Sequence, residues 1–204
     1  MKITTIMGSP RSGGNTDHVL SLAESLMEKD HEVSRINVSD HDIRYCKGCF
    51  SCKKTQTEPG CVIRDDMPEL YEVLMASDAI IYASPLYGKS CTAQLKTFLD
   101  RQYALLNFTD WVKPETTSLT AGIPTAFLIT CGGPDNDFNT AIVKDQATVF
   151  NKVMKSVDLD LFLVPHCISP DRIGDAGKRV AADLAGAVEA SAEGVLPGNV
   201  TGPK

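Results

Sequence analysis

Apolar and polar positions along the chain follow two periods that take turns. Residues 2–7 form a short β-branched run, and from Thr16 the apolar residues Val19, Leu20, Leu22, Ala23, Leu26 and Met27 recur at helical spacing. Residues 32–38 predict a second strand. Asp66-Met-Pro-Glu69 supplies an N-cap candidate, Pro in the first turn and Glu three residues on, so a helix is expected from there through Met75. Residues 79–83 (AIIYA) are wholly apolar and read as a strand, while 92–103 place Leu95, Phe98 and Leu99 on one helix face. Strand 125–130, helix 138–157, strand 159–164 and an alanine-rich helix over 175–190 continue the alternation. Five strands alternating with helices predict an α/β fold. The sheet should be parallel and covered on both faces, because right-handed crossovers send helices to each side. One domain is expected over 1–192, interrupted by a cysteine-rich insertion at 45–62. Residues 193–204 (EGVLPGNVTGPK) have the Gly and Pro content of a mobile tail.

Composition narrows the partners. The 204 residues, 43% of them hydrophobic, suffice for one core. A net charge of -6 and a pI near 5.2, with basic residues scattered, argue against nucleic acid. Gly, Pro and Arg arrive after seven residues, too soon for a signal peptide, and no apolar run reaches the roughly eighteen residues of a membrane span. A cytoplasmic location without membrane contact is therefore expected, where clustered thiols stay reduced and more often bind metal or catalyse than pair.

In an open parallel sheet, ligands bind outside the carboxyl ends of the strands. After the first strand comes GSPRSGGNT, residues 8–16, in which Ser9, Ser12 and Thr16 offer hydroxyls and Arg11 a guanidinium. A Gly-rich turn entering a helix presents unpaired N–H groups and a positive dipole end, which suits a phosphate. The plainer reading is a tight turn capped by Asn15 or Thr16. Gly8 and Gly13 have the spacing of the nucleotide P-loop, but Gly14 and Asn15 stand where Lys and Ser/Thr belong, so triphosphate chemistry loses its main contacts. A dinucleotide fingerprint is absent, and so is the Cys of a phosphatase loop. A terminal monophosphate is what remains. Ser84-Pro-Leu-Tyr-Gly-Lys-Ser90 and Cys131-Gly-Gly-Pro-Asp-Asn-Asp137 follow the third and fourth strands, and Leu86 and Tyr87 give the first of them an apolar or stacking surface. Either loop alone could be an ordinary turn. Together with the phosphate loop they describe a pocket for a flat heterocycle that carries a phosphate.

GSPRSGGNT, ASPLYGKSCTAQLKTFLDR and the CKGCFSCKK...CVIRDDM segment between them resemble the NADPH-dependent FMN reductase family of flavodoxin-like proteins, and within it most the iron-sulfur flavoproteins. The resemblance covers about the first 135 residues and weakens in the C-terminal third. It implies a flavodoxin-like three-layer sandwich with a five-stranded sheet of order 2-1-3-4-5 that binds FMN. It places Ser9, Arg11, Ser12, Asn15 and Thr16 at the phosphate. Ser84, Pro85, Leu86, Tyr87 and Gly88 would line the isoalloxazine, with backbone N–H groups aimed at its polar edge, and Cys131, Gly132 and Gly133 would form a third flavin loop. Hydride chemistry would belong to the flavin, with NAD(P)H as co-substrate and no dedicated catalytic side chain. Asp100-Arg101 matches the family's helix ending; it would orient the neighbouring loop or a partner subunit, or form a minor ion pair. The loop 108–115 is longer than the family pattern, and Trp111 is placed over the flavin or at a dimer interface.

Cys46, Cys49 and Cys52 form C-x2-C-x2-C, the spacing that brings three thiolates to neighbouring corners of a cluster, and Cys61 offers a fourth ligand after eight residues. In the iron-sulfur flavoproteins this last gap is shorter, so KKTQTEPG must bulge, with Pro59-Gly60 turning the chain back. A 4Fe-4S cluster, a tetrahedral zinc and reduced, unliganded thiols are the three readings. Cys91, Cys131 and Cys167 are too dispersed to join the set, and the four His show no ligand spacing. Two functions follow. One is an NAD(P)H-dependent reductase of flavin, quinone or another small acceptor. The other is an electron carrier linking FMN, a cluster and a protein donor of ferredoxin type. A flavodoxin-fold binding protein without turnover is a third, and the family likeness implies a homodimer or homotetramer.

Overall fold

In the computed structural model, which describes residues 1–55, 57–108, 116–169 and 173–195, strands and helices alternate. Their order is β1 (Lys2–Met7), α1 (Asn15–Met27), β2 (Glu32–Asn37), α2 (Met67–Met75), β3 (Ala79–Pro85), α3 (Ala93–Arg101), β4 (Leu106–Phe108), β5 (Thr116–Ser118), β6 (Pro124–Thr130), α4 (Asp137–Met154), β7 (Val157–Val164) and α5 (Gly174–Ala192). Five strands pair in parallel in the order β2-β1-β3-β6-β7, which is 2-1-3-4-5 when the long strands are counted alone. The fold is the flavodoxin-like sandwich that the resemblance implied.

Side-chain alternation along the strands explains the three layers. Ala79, Ile81 and Ala83 of β3 pack with Ile3, Met7 and the faces of α1 and α5, while Ile80 and Tyr82 pack with Ile6, Phe127 and the faces of α2, α3 and α4. Burial on both faces is why β3 is apolar at every position up to Ala83. Each fully buried aliphatic or aromatic side chain contributes about 1.5–3 kcal/mol. No helix among the described residues is long and apolar enough to cross a membrane.

The element ends follow capping chemistry more closely than periodicity does. Thr92 caps α3 by accepting from the Leu95 N–H (3.1 Å), and Asn136 caps α4 by accepting from the Asn139 N–H. Helix α4 stops at Met154 rather than 157 because Lys155 turns left-handed (φ 58°). Helix α3 ends at Arg101, and residues 102–105 tighten into a 3-10 turn instead of continuing the helix. The expected cap at Asp66 is overturned: its own side chain makes no cap, and Asp65 Oδ1 accepts the Met67 N–H instead. Neither Asn15 nor Thr16 caps α1, whose N-cap is Gly14. The antiparallel pair β4 and β5 is an addition that the pattern did not reveal. Residues 109–115, with Trp111, and residues 196–204 of the tail lie outside the described residues.

One close approach fixes where the first loop leaves the sheet. A Cβ on Gly8 would stand 2.6 Å from Leu95 Cβ and 3.1 Å from Ala83 O, so only glycine fits between β3 and α3. Gly8 donates to Ala83 O (2.8 Å) and accepts from Thr92 Oγ1 (2.5 Å), which locks the loops after β1 and β3 side by side.

Candidate functional site

The three loops named by sequence meet at one edge. In register, Met7 of β1 stands beside Ala83, and Pro85 at the end of β3 stands beside Thr130 at the end of β6. Polar side chains tie the strand ends together. Thr16 Oγ1 is 2.7 Å from Thr130 Oγ1, and Asn15 Nδ2 donates to Cys167 O at 2.8 Å. Thr16 is buried, so its hydroxyl faces the sheet, while the buried Asn15 Oδ1 has no partner among the described residues. Above this base Arg11, Ser12 and Gly13 are exposed. Ser9 Oγ accepts the Arg11 N–H (3.1 Å) and shapes the turn. Among the described residues the amides of Ser12 and Gly14 take no partner, and the first-turn amides of α1 have none within the helix. An exposed guanidinium, an exposed hydroxyl and unspent amides together suit an anion.

An acidic group in the first turn of α1, which sequence reading passed over, also ties down this loop. Asp17 Oδ2 accepts the Gly13 N–H at 2.7 Å, and Oδ1 pairs with Arg35 of β2 at 2.5 Å. Arg35 in turn pairs with Glu24, which also accepts from Thr5 Oγ1. Burial alone would push the Asp17 carboxyl up, but the Gly13 N–H and the Arg35 guanidinium outweigh it and hold it below the usual carboxylate range. The chain Arg35–Asp17–Gly13 thus sets the loop's shape. A hollow of about 240 Å³ opens beside it, lined by Ser9, Arg11, Ser12, Asp17, Arg35 and Ser39 among others.

The second loop is a tight turn whose amides are partly committed. Leu86 N–H donates to Thr130 O, and Tyr87 and Ser90 exchange backbone bonds around Gly88 (φ 54°) and Lys89 (φ 69°). Within this turn only the amides of Gly88 and Lys89 take no partner among the described residues, so those two, and not the amides of Leu86 or Tyr87, are left open to a ligand. Ser84 is fully buried: its hydroxyl accepts the Thr92 N–H and faces the interior. Pro85 is buried, Leu86 half-buried, and Tyr87 exposed. In the third loop Gly132 is exposed, whereas Cys131 is buried with its thiol on Gly133 O (3.1 Å). Burial pushes that thiol up, so the loop presents backbone rather than a reactive sulfur. Lys89 Nζ lies 3.2 Å from the Phe138 ring centroid and joins the second loop to the first turn of α4.

The cysteine segment curls back on itself. Gly48 and Phe50 are both left-handed, and Cys52 rides a 3-10 turn, Ser51–Lys54. Gly60 returns the chain: a Cβ there would stand 3.2 Å from Cys52 Cα and 2.2 Å from Thr55 Oγ1, so Gly60 lies directly against the third cysteine. All four of Cys46, Cys49, Cys52 and Cys61 line one cavity of about 50 Å³. Cys46 and Cys49 are exposed, Cys52 and Cys61 half-buried. Burial pushes the Cys52 thiol up, while hydrogen bonds from Ser51 pull Cys49 down. Among the described residues no three His, Cys, Asp or Glu side chains converge tightly enough to hold a single ion.

Two basic residues hold this segment, Lys53, to which sequence reading gave no role, and Arg101. Lys53 donates to the carbonyls of Tyr103 and Leu106 and lies 4.1 Å from the Tyr103 ring centroid. Of the two readings of Arg101, orienting the neighbouring loop or forming a minor ion pair, the second does not hold: the Arg101 and Asp65 side chains are 1% and 0% exposed and form a two-pronged ion pair. Arg101 also donates to Arg44 O (2.8 Å) and Cys61 Sγ (3.4 Å). The minor surface pair is that of Asp100 with Lys96. The signal that would have found Asp65 is its place four residues after Cys61, immediately before the helix. Beside the segment, an open groove of about 680 Å³ runs between α3 and α4, lined by Leu99, Ile142, Val149 and Val153 and, at one end, by Cys46 and Gly48.

Comparison with known proteins agrees with this layout. Residues 1–153 match the family model described as NADPH-dependent FMN reductase. An iron-sulfur flavoprotein of Archaeoglobus fulgidus is 44% identical over 102 residues, 50% of this chain and 45% of that protein. One of Methanosarcina thermophila is 41% identical over 106 residues, 52% of this chain and 54% of that protein. The chain spans about half the length of the curated relatives it matches. Among solved structures, NAD(P)H:quinone oxidoreductase from Methanothermobacter marburgensis superposes with a TM-score of 0.70 at 16% identity, covering 91% of this chain and 97% of the other. At that identity the likeness shows the fold.

The Asp17 pair carries a pH signature. A carboxyl held below its unfolded value contributes stability that is complete above that value and is lost as pH falls through the folded one. Asp17→Asn should therefore melt lower than the parent at neutral pH, with the gap closing below the ordinary carboxylate range near 3.8. Melting curves across pH check this, and a gap that persists unchanged into acid contradicts it.

Proposed function

The chain belongs to the NADPH-dependent FMN reductase family, and from that premise we propose that it is an FMN-dependent oxidoreductase that takes electrons from NAD(P)H to a flavin, quinone or another small acceptor. The observation that carries this is the meeting of the loops after β1, β3 and β6 at one sheet edge, with an anion-suited turn in the first and an aromatic, Gly-containing turn in the second. Bound FMN would supply the hydride and single-electron chemistry. The chain's own groups bind and orient: Arg11, Ser12 and the amides of the first loop receive the phosphate, with Ser9 and Asn15 shaping that loop and Thr16 anchoring its base. Leu86, Tyr87 and Gly88 border the ring, and the amides of Gly88 and Lys89 are free for its polar edge. Committed amides at Leu86 and Tyr87 stiffen the turn, so little reorganisation is needed on binding.

The second reading, an electron carrier between FMN, a 4Fe-4S cluster and a ferredoxin-type donor, is favoured by one observation. All four cysteines line a single cavity. Four cysteines with C-x2-C-x2-C spacing in the first three suit an iron-sulfur centre, whereas that compact run is crowded around a single zinc. A homodimer belongs to the same reading. The exposed Ile142, Val149 and Val153 of α4 line the groove beside Cys46, and a second copy is proposed to cover it.

Three measurements test this. Added FMN should bind and lose its fluorescence, and Arg11→Ala should weaken FMN roughly tenfold or more while leaving riboflavin nearly unchanged, because only the phosphate contact is lost. Protein that shows no flavin absorbance or quenching after FMN addition would sink the reductase reading. Anaerobically purified chain should contain about four irons and matching sulfide, and fewer than about three irons would reject the full cluster. Sedimentation should give twice the chain mass, and Val149→Glu should return it to one; a parent sedimenting as one chain rejects the pairing.

A further inference from the structure

Among the groups lining the four-cysteine cavity, Arg101 has chemistry that packing does not account for. Its guanidinium is almost completely buried. Nη1 serves Asp65 and Arg44 O, and Nη2 serves Asp65 and, at 3.4 Å, Cys61 Sγ. Its Nε, buried as well, has no partner among the described residues. A buried N–H without an acceptor is unfavourable, yet this one belongs to a side chain that lines the cavity the thiols surround. Cys61 is also the cysteine that arrives across the long gap, so its placement depends most on what holds it.

We propose that Arg101 is a positioning residue of the cysteine pocket: it holds Cys61 toward the cavity and sets a fixed positive charge and N–H donors against the sulfur edge of a bound cluster. This rests on the reading that the pocket takes a 4Fe-4S centre. Four thiolates give such a centre a net negative charge, and N–H donors to its sulfurs stabilise the reduced, more negative form, which raises the potential. No proton or ligand is exchanged. Arginine is required because its planar fork bonds a carboxylate, a carbonyl and a sulfur at once, whereas an ammonium that keeps Asp65 cannot reproduce that fixed fork.

The test is Arg101→Lys in the full chain, purified without oxygen. Three changes are expected: iron retention against a chelator falls by roughly 10–100-fold, the cluster midpoint moves to a more negative potential, and in iron-free protein alkylation of Cys61 speeds up relative to Cys46 and Cys49. FMN binding serves as the check that the domain is folded. A variant with the parent's midpoint and the parent's Cys61 alkylation overturns the proposal. If the parent takes up no iron, the cluster reading falls, and the alkylation of iron-free protein alone decides whether Arg101 holds Cys61. Should R101K not fold, C61S and C61A take its place. Serine leaves Nη2 an acceptor and alanine does not, so C61A should melt below C61S, and equal melting overturns the contact.

Discussion

A guanidinium and a carboxylate with almost no exposure cannot be left apart inside a protein. The pair formed by Arg101 and Asp65 therefore dictates what its surroundings do. Removing either partner from such a pair costs about 3–5 kcal/mol, because the other charge is stranded. The pair also reaches into three pieces of chain: Arg101 ends α3, Asp65 accepts the N–H of Met67 at the start of α2 and of Arg44 before the first cysteine, and Arg101 binds the fourth cysteine. Both arms of a largely exposed segment are thereby pinned to one buried point. Lys53 adds a second pin from the middle of the segment, with its ammonium spent on two carbonyls and two rings. A loop with few buried apolar side chains of its own acquires a defined shape through buried charge instead.

The sheet edge is held differently. There the connections are neutral: Thr16 to Thr130, Asn15 to Cys167 O, Leu86 N–H to Thr130 O. These bonds join strand ends in a low-dielectric base and carry little dependence on salt or pH. The charged groups of the edge, Arg11 and the Asp17–Arg35 pair, sit above or beside that base, where a ligand can meet them. A rigid neutral floor under a charged rim allows anion binding without making the fold depend on the anion.

The strands and their order were readable because burial on both faces leaves a run such as AIIYA with no polar position to confuse the period. The hairpin of β4 and β5 was not, since three-residue strands have no period to detect. The pocket loops were visible in Gly, Pro and hydroxyl content, but which amides remained free was not, because that depends on partners such as Thr130 forty-odd residues away. The two readings of Arg101 were left side by side for a physical reason. A charge at a helix end defaults to solvent, and its partner Asp65 lies 36 residues earlier beside Asp66, from which sequence alone does not separate it. The four cysteines were legible as a set and Pro59-Gly60 as the turn that returns the last one, whereas the means of holding that turn in place was not.

That means is Gly60 lying against Cys52. Because the two residues touch, the stretch between them is an excursion that leaves the pocket and returns to its starting point. Its length is then not a ruler for the site. Where Cys61 arrives is set by a glycine docked on the third cysteine and not by the number of residues that precede it. What gathers the four thiols in this chain is thus a compact triplet, a glycine directly before the distant fourth thiol and an aspartate four residues beyond it that holds Arg101 against that thiol.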